Sequence, residues 1–122
     1  MSAPHAPVWL AHIEQLADPG SLGLDPGGTG QDTLMLVRRG SDVFAYLDAC
    51  PHLGGTPMAW RKNAYLNGDG SRIVCHAHGA LFDIATGECL RGPCLGQRLT
   101  PLQTVVAQDG RLGVYLPHSP SP

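Results

Sequence analysis

Short apolar runs alternate along this chain with clusters of glycine, proline, serine and aspartate. Short runs rich in Val, Leu, Ile and aromatic residues, bounded by such turn residues, are typical of β-strands. The pattern predicts strands over residues 8–10, 33–38, 43–48, 102–107 and 111–116. Shorter apolar runs flank a central segment rich in Cys and His, with residues 73–74 leading into it and residues 80–84 leading out. The chain is therefore predicted to consist of strands separated by turns.

The connections between the predicted strands carry characteristic turn sequences. Arg-Gly-Ser-Asp at residues 39–42 predicts a hairpin connection, and the Asp-Gly dipeptide at residues 109–110 predicts a second hairpin that closes the fold. Helical spacing occurs at residues 13–17, where the apolar positions stop at Asp-Pro-Gly. Because that segment is so short, it predicts a single helical turn or a short helix.

The central segment contains two mixed pairs of cysteine and histidine. The first motif reads C-P-H-L-G-G and begins at Cys50, which places His52 two positions later. The second reads C-H-A-H-G and begins at Cys75, which places His78 three positions later. Two thiolates and two imidazoles delivered in this way suit either a tetrahedral zinc ion or an iron–sulfur cluster with histidines on one iron.

The residues around the two pairs favour the iron–sulfur cluster. A zinc finger usually separates its ligands into a Cys pair and a His pair, whereas each arm here carries one of each. Both arms are also rich in turn residues: Pro51, Gly54, Gly55 and Pro57 in the first and Gly79 in the second. Such residues place ligands on loops and let backbone N–H groups approach the sulfides of a cluster.

With these motifs the chain resembles the Rieske [2Fe–2S] proteins. The resemblance rests on C-P-H-L-G-G, on C-H-A-H-G-A-L-F-D, on Gly87 and on Gly92-Pro93, and it extends loosely from about residue 8 to residue 116. Together with the strand pattern it implies an all-β, Rieske-like fold. In that fold antiparallel β-sheets form a sandwich-like base, the two metal loops form a cluster-binding loop subdomain, and Gly92-Pro93 is a third loop that covers the cluster.

The resemblance also implies the metal ligands. Cys50 and Cys75 would hold one iron of a single [2Fe–2S] cluster per chain, and His52 and His78 would hold the other iron at the protein surface. His76 lies within the second motif as well. It could replace His78 only if the loop were reversed, so His78 is the predicted ligand.

Four positions near the motifs predict where the reduction potential lies. High-potential Rieske proteins carry a second cysteine in each metal loop, and the matching residues here are Gly55 and Ala77. Those proteins also place a Ser and a Tyr hydroxyl near the cluster, where this chain has Ala80 and Phe82. Because hydroxyl donors to sulfur stabilise the more negative reduced state, their loss lowers the potential. A low-potential Rieske ferredoxin is therefore predicted.

Composition indicates one small domain. A chain of 122 residues is predicted to form a single Rieske domain over 1–122, with its cluster-binding part at about 48–95 and flexible termini at 1–7 and 117–122. The formal net charge of -2 gives no basic footprint for nucleic acid or anionic membranes. No apolar run is long enough to cross a bilayer, and no secretory signal is visible. The expected localisation is cytoplasmic.

Two features of the sequence each allow two interpretations. Cys89 and Cys94 flank the third loop, either as two reduced thiols or as a redox-active or protective disulfide. The long connection at residues 56–72 contains Trp60 and Tyr65, and its Asn-Gly-Asp-Gly sequence at residues 67–70 predicts a turn. Aromatic residues beside a redox centre can form a docking surface, but they can equally cover the small core of the cluster subdomain, which is the favoured interpretation.

The resemblance implies an electron carrier rather than an enzyme. Soluble Rieske proteins of this size resemble the ferredoxins of ring-hydroxylating dioxygenases, which carry one electron from a reductase to a terminal oxygenase through a small, transient interface. Small subunits of nitrite reductases share the fold. The alternatives are a redox-sensing or regulatory module and a zinc-binding interaction domain, and the oligomeric state is left open. The chain has no room for an appended catalytic iron domain and shows no nucleophile motif.

Overall fold

The computed structural model describes residues 7–26, 28, 30, 32–48, 65–68, 70–75, 79–92 and 95–115. Within these residues the chain forms nine strands and one 3-10 turn, Ile13–Gln15. In chain order the strands are β1 (Val8–His12), β2 (Gly20–Leu24), β3 (Leu34–Arg39), β4 (Asp42–Leu47), β5 (Ile73–Cys75), β6 (Ala80–Phe82), β7 (Cys89–Arg91), β8 (Pro101–Val106) and β9 (Arg111–Tyr115).

The strands form two sheets in which every pair is antiparallel. A six-stranded sheet has the order β1-β9-β8-β4-β3-β2, and a three-stranded sheet has the order β5-β6-β7. In the larger sheet β4 and β8 share only two residue pairs, Ala45 with Leu102 and Tyr46 with Pro101. A short seam therefore joins one half of that sheet, β2 to β4, to the other half, β1, β9 and β8.

β3 is buried on both of its faces. Successive side chains of a strand point to opposite sides of the sheet, so Leu34 and Leu36 face one way while Met35 and Val37 face the other. All four are at most 1% exposed. Leu34 and Leu36 belong to one hydrophobic cluster and Met35 and Val37 to another. This double burial explains why the strand is a continuous apolar run rather than an alternating one.

The first cluster forms the core of the base. Leu36 of β3 and Ala45 of β4 share it with Leu112 and Val114 of β9. Because these residues come from the two halves of the larger sheet, the halves face each other across the cluster. The predicted all-β fold with a sandwich-like, antiparallel base is therefore confirmed.

The second cluster joins the base to the smaller sheet. Its members are the buried residues Met35, Val37, Tyr46, Tyr65, Ile73, Cys75, Ala80, Phe82, Ile84, Cys89 and Leu99. They include residues of β3 and β4 as well as residues of β5, β6 and β7. The Tyr46 hydroxyl also donates a 2.6 Å hydrogen bond to the carbonyl oxygen of Ile84, the second residue after β6. The smaller sheet is thus fixed to the base by one shared core.

The five strands predicted from the apolar pattern are present, with bounds shifted by one or two residues. Two strands were not predicted. β2 has the sequence Gly-Ser-Leu-Gly-Leu, and its two glycines lower its β-propensity, yet it pairs with β3 over five residue pairs at the edge of the sheet. β7 is only three residues long, too short for a periodicity to be recognised. Both segments are strands because they pair with a neighbouring strand, although their own sequences give no clear strand signal.

The predicted helical turn at residues 13–17 is present as the 3-10 turn Ile13–Gln15. His12 caps it, because its Nδ1 accepts a hydrogen bond of 3.2 Å from the backbone N–H of Glu14. The opposite ring nitrogen, Nε2, lies 2.8 Å from the carbonyl oxygen of Asp109 in the β8–β9 turn. His12 therefore joins two turns of the base. Among the described residues no helix is long or apolar enough to span a membrane.

Burial of β3 on both faces leads to a test by truncation. We expect Leu36→Ala and Met35→Ala each to lower the free energy of unfolding by about 2–5 kcal/mol, because each leaves a cavity in a different core. Val106→Ala is the control. Val106 is 47% exposed, and its truncation should change the free energy by less than about 0.5 kcal/mol. Urea denaturation measures all three. A large loss for only one of the two β3 variants would contradict double burial.

Candidate metal centre

Cys75 is the predicted ligand that the structure describes, and it is fully buried. It is the last residue of β5 and pairs with Ala80, the first residue of β6. The backbone N–H of Gly79 donates a 2.7 Å hydrogen bond to the carbonyl oxygen of Cys75. The second motif therefore starts and ends at residues held by the small sheet, as the apolar runs on either side of it predicted.

The other predicted ligands, Cys50, His52 and His78, lie outside the described residues, and so does His76. Taken alone, the described residues contain no group of three Cys, His, Asp or Glu side chains that could hold a metal ion. The assignment of the four ligands therefore stays a prediction from the sequence.

The first residue of the predicted third loop, Gly92, lies against Ala80 at the start of β6. Gly92, the residue after β7, has a φ of 111°. An ideal Cβ built on Gly92 would lie 2.9 Å from the Cα of Ala80 and 3.1 Å from its Cβ. Only glycine fits at this approach, because a side chain would need both a strained backbone and space that Ala80 occupies. Pro93 and Cys94 lie outside the described residues, so the question of a disulfide with Cys89 stays open.

Ala80 and Phe82 both lie in the hydrophobic core that contains Cys75. Each is 0% exposed. Neither carries a hydroxyl, so at these two positions the chain offers apolar groups where high-potential relatives are expected to offer donors. Without hydroxyl donors at these positions, the reduction potential of a bound cluster is expected to be lower.

Tyr65 makes hydrogen bonds to segments next to both motifs. Its hydroxyl donates a 2.7 Å bond to Oδ2 of Asp48, which lies two residues before Cys50. Its carbonyl oxygen accepts a 2.8 Å bond from the backbone N–H of Val74, the residue before Cys75. Tyr65 is 1% exposed, so the interpretation that it covers the core is confirmed. Trp60, its predicted companion, lies outside the described residues.

A buried acidic site surrounds the Tyr65 hydroxyl. Asp48 is only 9% exposed, and Asp32 lies close by. Gly23 of β2 allows this arrangement, since an ideal Cβ there would lie 2.5 Å from Oδ2 of Asp32 and 2.8 Å from the Tyr65 hydroxyl oxygen. Sequence reasoning missed this site, because residues 23, 32, 48 and 65 share no motif and come together only when the strands pair.

Two buried tyrosines stay protonated far into the alkaline range. Burial raises the pKa of Tyr65 well above its usual value, and the hydrogen bond to Asp48 and the charges of Asp48 and Asp32 raise it further. Burial, with a smaller contribution from the charge of Asp83, raises the pKa of Tyr46 to about 12. Both hydroxyls therefore act as hydrogen-bond donors at neutral pH.

The chain returns to β5 through the predicted turn at residues 67–70. The N–H of Gly70 donates to the carbonyl oxygen of Asn67 at 2.9 Å, and the side-chain oxygen of Asn67 accepts from the N–H groups of Ser71 and Arg72 at 3.0 Å. These bonds set the direction in which the chain enters β5 and reaches Cys75. The predicted turn is confirmed for its described residues.

Comparison with known proteins gives one family and several related structures. The sequence model of the Rieske [2Fe–2S] domain matches residues 6–111. The search of curated proteins found no match. Among solved structures, the ferredoxin of carbazole 1,9a-dioxygenase from Nocardioides aromaticivorans IC177 is 26% identical with a TM-score of 0.68. The alignment covers 88% of this chain and 95% of that one.

Two other solved structures resemble the chain in fold. One is the complex of reduced oxygenase and oxidized ferredoxin in carbazole 1,9a-dioxygenase, with 21% identity, a TM-score of 0.71 and coverage of 92% of this chain and 94% of that one. The other is described as a small subunit of an NADPH nitrite reductase, with 16% identity, a TM-score of 0.61 and coverage of 88% and 97%. These likenesses confirm the predicted Rieske-like fold.

Gly92 gives a direct test of its close approach to Ala80 of β6. We expect Gly92→Ala to lower the free energy of unfolding by about 1–3 kcal/mol, because alanine disfavours the positive φ and its Cβ would collide with Ala80. Gly96→Ala is the matched control, since Gly96 also has a positive φ, 89°, but its Cβ would meet nothing within 4 Å. Equal losses in urea denaturation would contradict the close approach.

The raised pKa of Tyr46 predicts how stability depends on pH. Tyrosines ionise near pH 10 in the unfolded chain, whereas Tyr46 stays protonated in the folded protein to about pH 12. Its contribution is therefore complete below pH 10 and is lost as the pH rises toward 12. In urea denaturation, the stability difference between wild type and Tyr46→Phe should shrink between about pH 10 and pH 12. A constant difference would contradict the shift.

Proposed function

This chain belongs to the Rieske [2Fe–2S] domain family, and from that membership we propose that it carries single electrons between a reductase and a terminal oxygenase or a similar acceptor. Rieske domains bind a [2Fe–2S] cluster, which takes up and releases one electron. The proposal describes a carrier within a multi-protein oxidoreductase system, not an enzyme in its own right. We also keep the cytoplasm as its proposed location.

The described residues around the second motif fit such a cluster. Cys75 places a sulfur atom in the interior at the end of a paired strand, which suits a thiolate on the inner iron. Ala80, opposite it, is small and buried, and Gly92 brings the backbone of a third segment against Ala80. This arrangement is the observation that supports the site most directly.

The proposed ligands are those of the family motif. Cys50 and Cys75 would hold one iron and His52 and His78 the other, and the imidazole edges of the two histidines would serve as the port for electrons. Described residues lie next to both ligand segments. Asp48 precedes the first, and the pair Cys75–Ala80 brackets the second.

Related ferredoxins support the choice of partners. The chain aligns with 95% of a ferredoxin of carbazole 1,9a-dioxygenase, and another aligned ferredoxin is seen in complex with its oxygenase. We propose that this chain likewise meets a reductase and an oxygenase in transient contacts. The likeness to a nitrite reductase small subunit supports a second candidate, a Rieske subunit of a nitrite-reductase-like complex. A redox-sensing, regulatory or zinc-binding role is the remaining alternative.

Metal analysis of two cysteine variants tests the cluster. The purified protein should contain two irons and two sulfides per chain and show the EPR spectrum of a reduced Rieske cluster. Cys75→Ser should abolish both. Cys89→Ser is the matched control, because Cys89 is also a buried cysteine of the small sheet but directs its Sγ to the carbonyl oxygen of Arg91 at 3.4 Å. A single zinc ion in the wild type would disprove the proposal.

A redox titration tests the predicted class of carrier. Since Ala80 and Phe82 supply no hydroxyl to the cluster, the midpoint potential should lie near the negative end of the Rieske range of about −150 to +300 mV. The double variant Ala80→Ser/Phe82→Tyr should raise it. A wild-type potential well above zero would contradict the low-potential assignment. Two turnover assays then separate the candidate systems. One measures whether the protein supports turnover of a purified oxygenase with its reductase, and the other measures whether it supports turnover of a nitrite reductase in place of that enzyme's own small subunit.

A further inference from the structure

Tyr65 occupies a position that connects the two ligand-bearing segments. Between Asp48 and Tyr65 lies the stretch that contains Cys50 and His52. The Tyr65 hydroxyl closes this stretch by its 2.7 Å bond to Asp48. The backbone of the same residue accepts the 2.8 Å bond from Val74, which is adjacent to Cys75. One residue therefore bonds to the segment before the first motif and to the segment before the second.

We propose that Tyr65 is a positioning residue of the cluster site, and that its hydrogen bond to Asp48 fixes the spacing between the first and second metal loops. This inference rests on the proposed cluster, because spacing between the loops matters only if both hold one group. Hydrogen bonds that do not touch a metal can still orient the groups that hold it and so tune its properties.

The contacts of Tyr65 are strong enough for this role. Its hydroxyl donates to a carboxylate in the interior, and hydrogen bonds to charged groups contribute more than neutral ones. Asp48 is itself tied to the start of β3 by the 2.9 Å bond from its N–H to the carbonyl oxygen of Thr33, the residue before that strand. Tyr65 in turn donates its N–H to Oγ of Ser21 in β2, at 3.3 Å. Both ends of the Asp48–Tyr65 bond are therefore anchored in the base.

The chain provides a matched control in Tyr46. Both tyrosines are at most 2% exposed and belong to the same core, and each hydroxyl donates one buried hydrogen bond. The Tyr46 hydroxyl bonds to Ile84 beyond β6, so its bond joins the base to the far end of the small sheet. The bonds of Tyr65 instead reach residues just before Cys50 and Cys75. Tyr65→Phe and Tyr46→Phe each remove one buried hydroxyl, and a purely structural role predicts the same behaviour for both.

The experiment measures cluster loss and the EPR spectrum in both variants. In the presence of an iron chelator, Tyr65→Phe should lose its visible absorbance about tenfold faster than wild type, and its reduced EPR signal should broaden or shift its g-values. Tyr46→Phe should keep the wild-type spectrum and lose its cluster at close to the wild-type rate. Equal spectra and equal rates in the two variants would overturn the proposal.

Two variants of Asp48 test the other end of the bond. Asp48→Asn keeps an oxygen that accepts from Tyr65 but makes the bond neutral and therefore weaker, so its rate of cluster loss should lie between those of wild type and Tyr65→Phe. Asp48→Ala removes the acceptor and should lose its cluster as fast as Tyr65→Phe. Loss in Asp48→Asn as fast as in Asp48→Ala would show that the charge of Asp48 holds the loop, and would overturn the assignment to the hydrogen bond.

The outcomes for this inference and for the proposed function are separable. If the wild-type protein gives no Rieske EPR signal, the proposed function fails. If the wild type gives the signal and Tyr65→Phe behaves like Tyr46→Phe, only the positioning role fails. Circular dichroism on all variants shows that each compared protein is folded.

Discussion

Burial of β3 on both faces is the constraint on which the rest of the structure depends. Leu34 and Leu36 belong to the core of the base, while Met35 and Val37 belong to the core beneath the smaller sheet. A single strand therefore contributes to both cores, and neither can shift without disturbing the other, because protein interiors are close-packed. The small sheet that carries Cys75 is in this way held by the same strand that organises the base.

The described residues that flank the two motifs are held in place by this arrangement. A cluster bound by two loops needs both loops held at a fixed separation, and loops alone are the most mobile parts of a protein. Here strands pair on each side of the second loop, and the first loop follows the end of β4 and is closed by the contact between Asp48 and Tyr65. The residues that flank both Rieske motifs are thus held by strand pairing and by one buried hydrogen bond.

The sequence predicted much of the fold because its signals were local. Apolar runs and turn dipeptides predicted five strands and two hairpins, and the Cys-x-His and Cys-x-x-His spacing predicted the family. β2 and β7 were missed because the first contains two glycines and the second has only three residues, so that each forms a strand only by pairing with its neighbour, β3 or β6. The site at Tyr65 was missed because a residue of β2, a residue just after β4 and residues of the connecting segments meet only after folding. The ligand assignment itself remains a prediction from the motif.

The central claim is that one diiron cluster is held by two cysteines and two histidines. Pulsed double-resonance EPR on reduced protein labelled with ¹⁵N-histidine tests it most directly, because only nitrogen bound to iron gives a strong coupling. Two histidine nitrogens coupled to the same ferrous site, both preserved when His76 is replaced by alanine, are the predicted result. A cluster without nitrogen coupling, as four thiolates would give, would contradict the account.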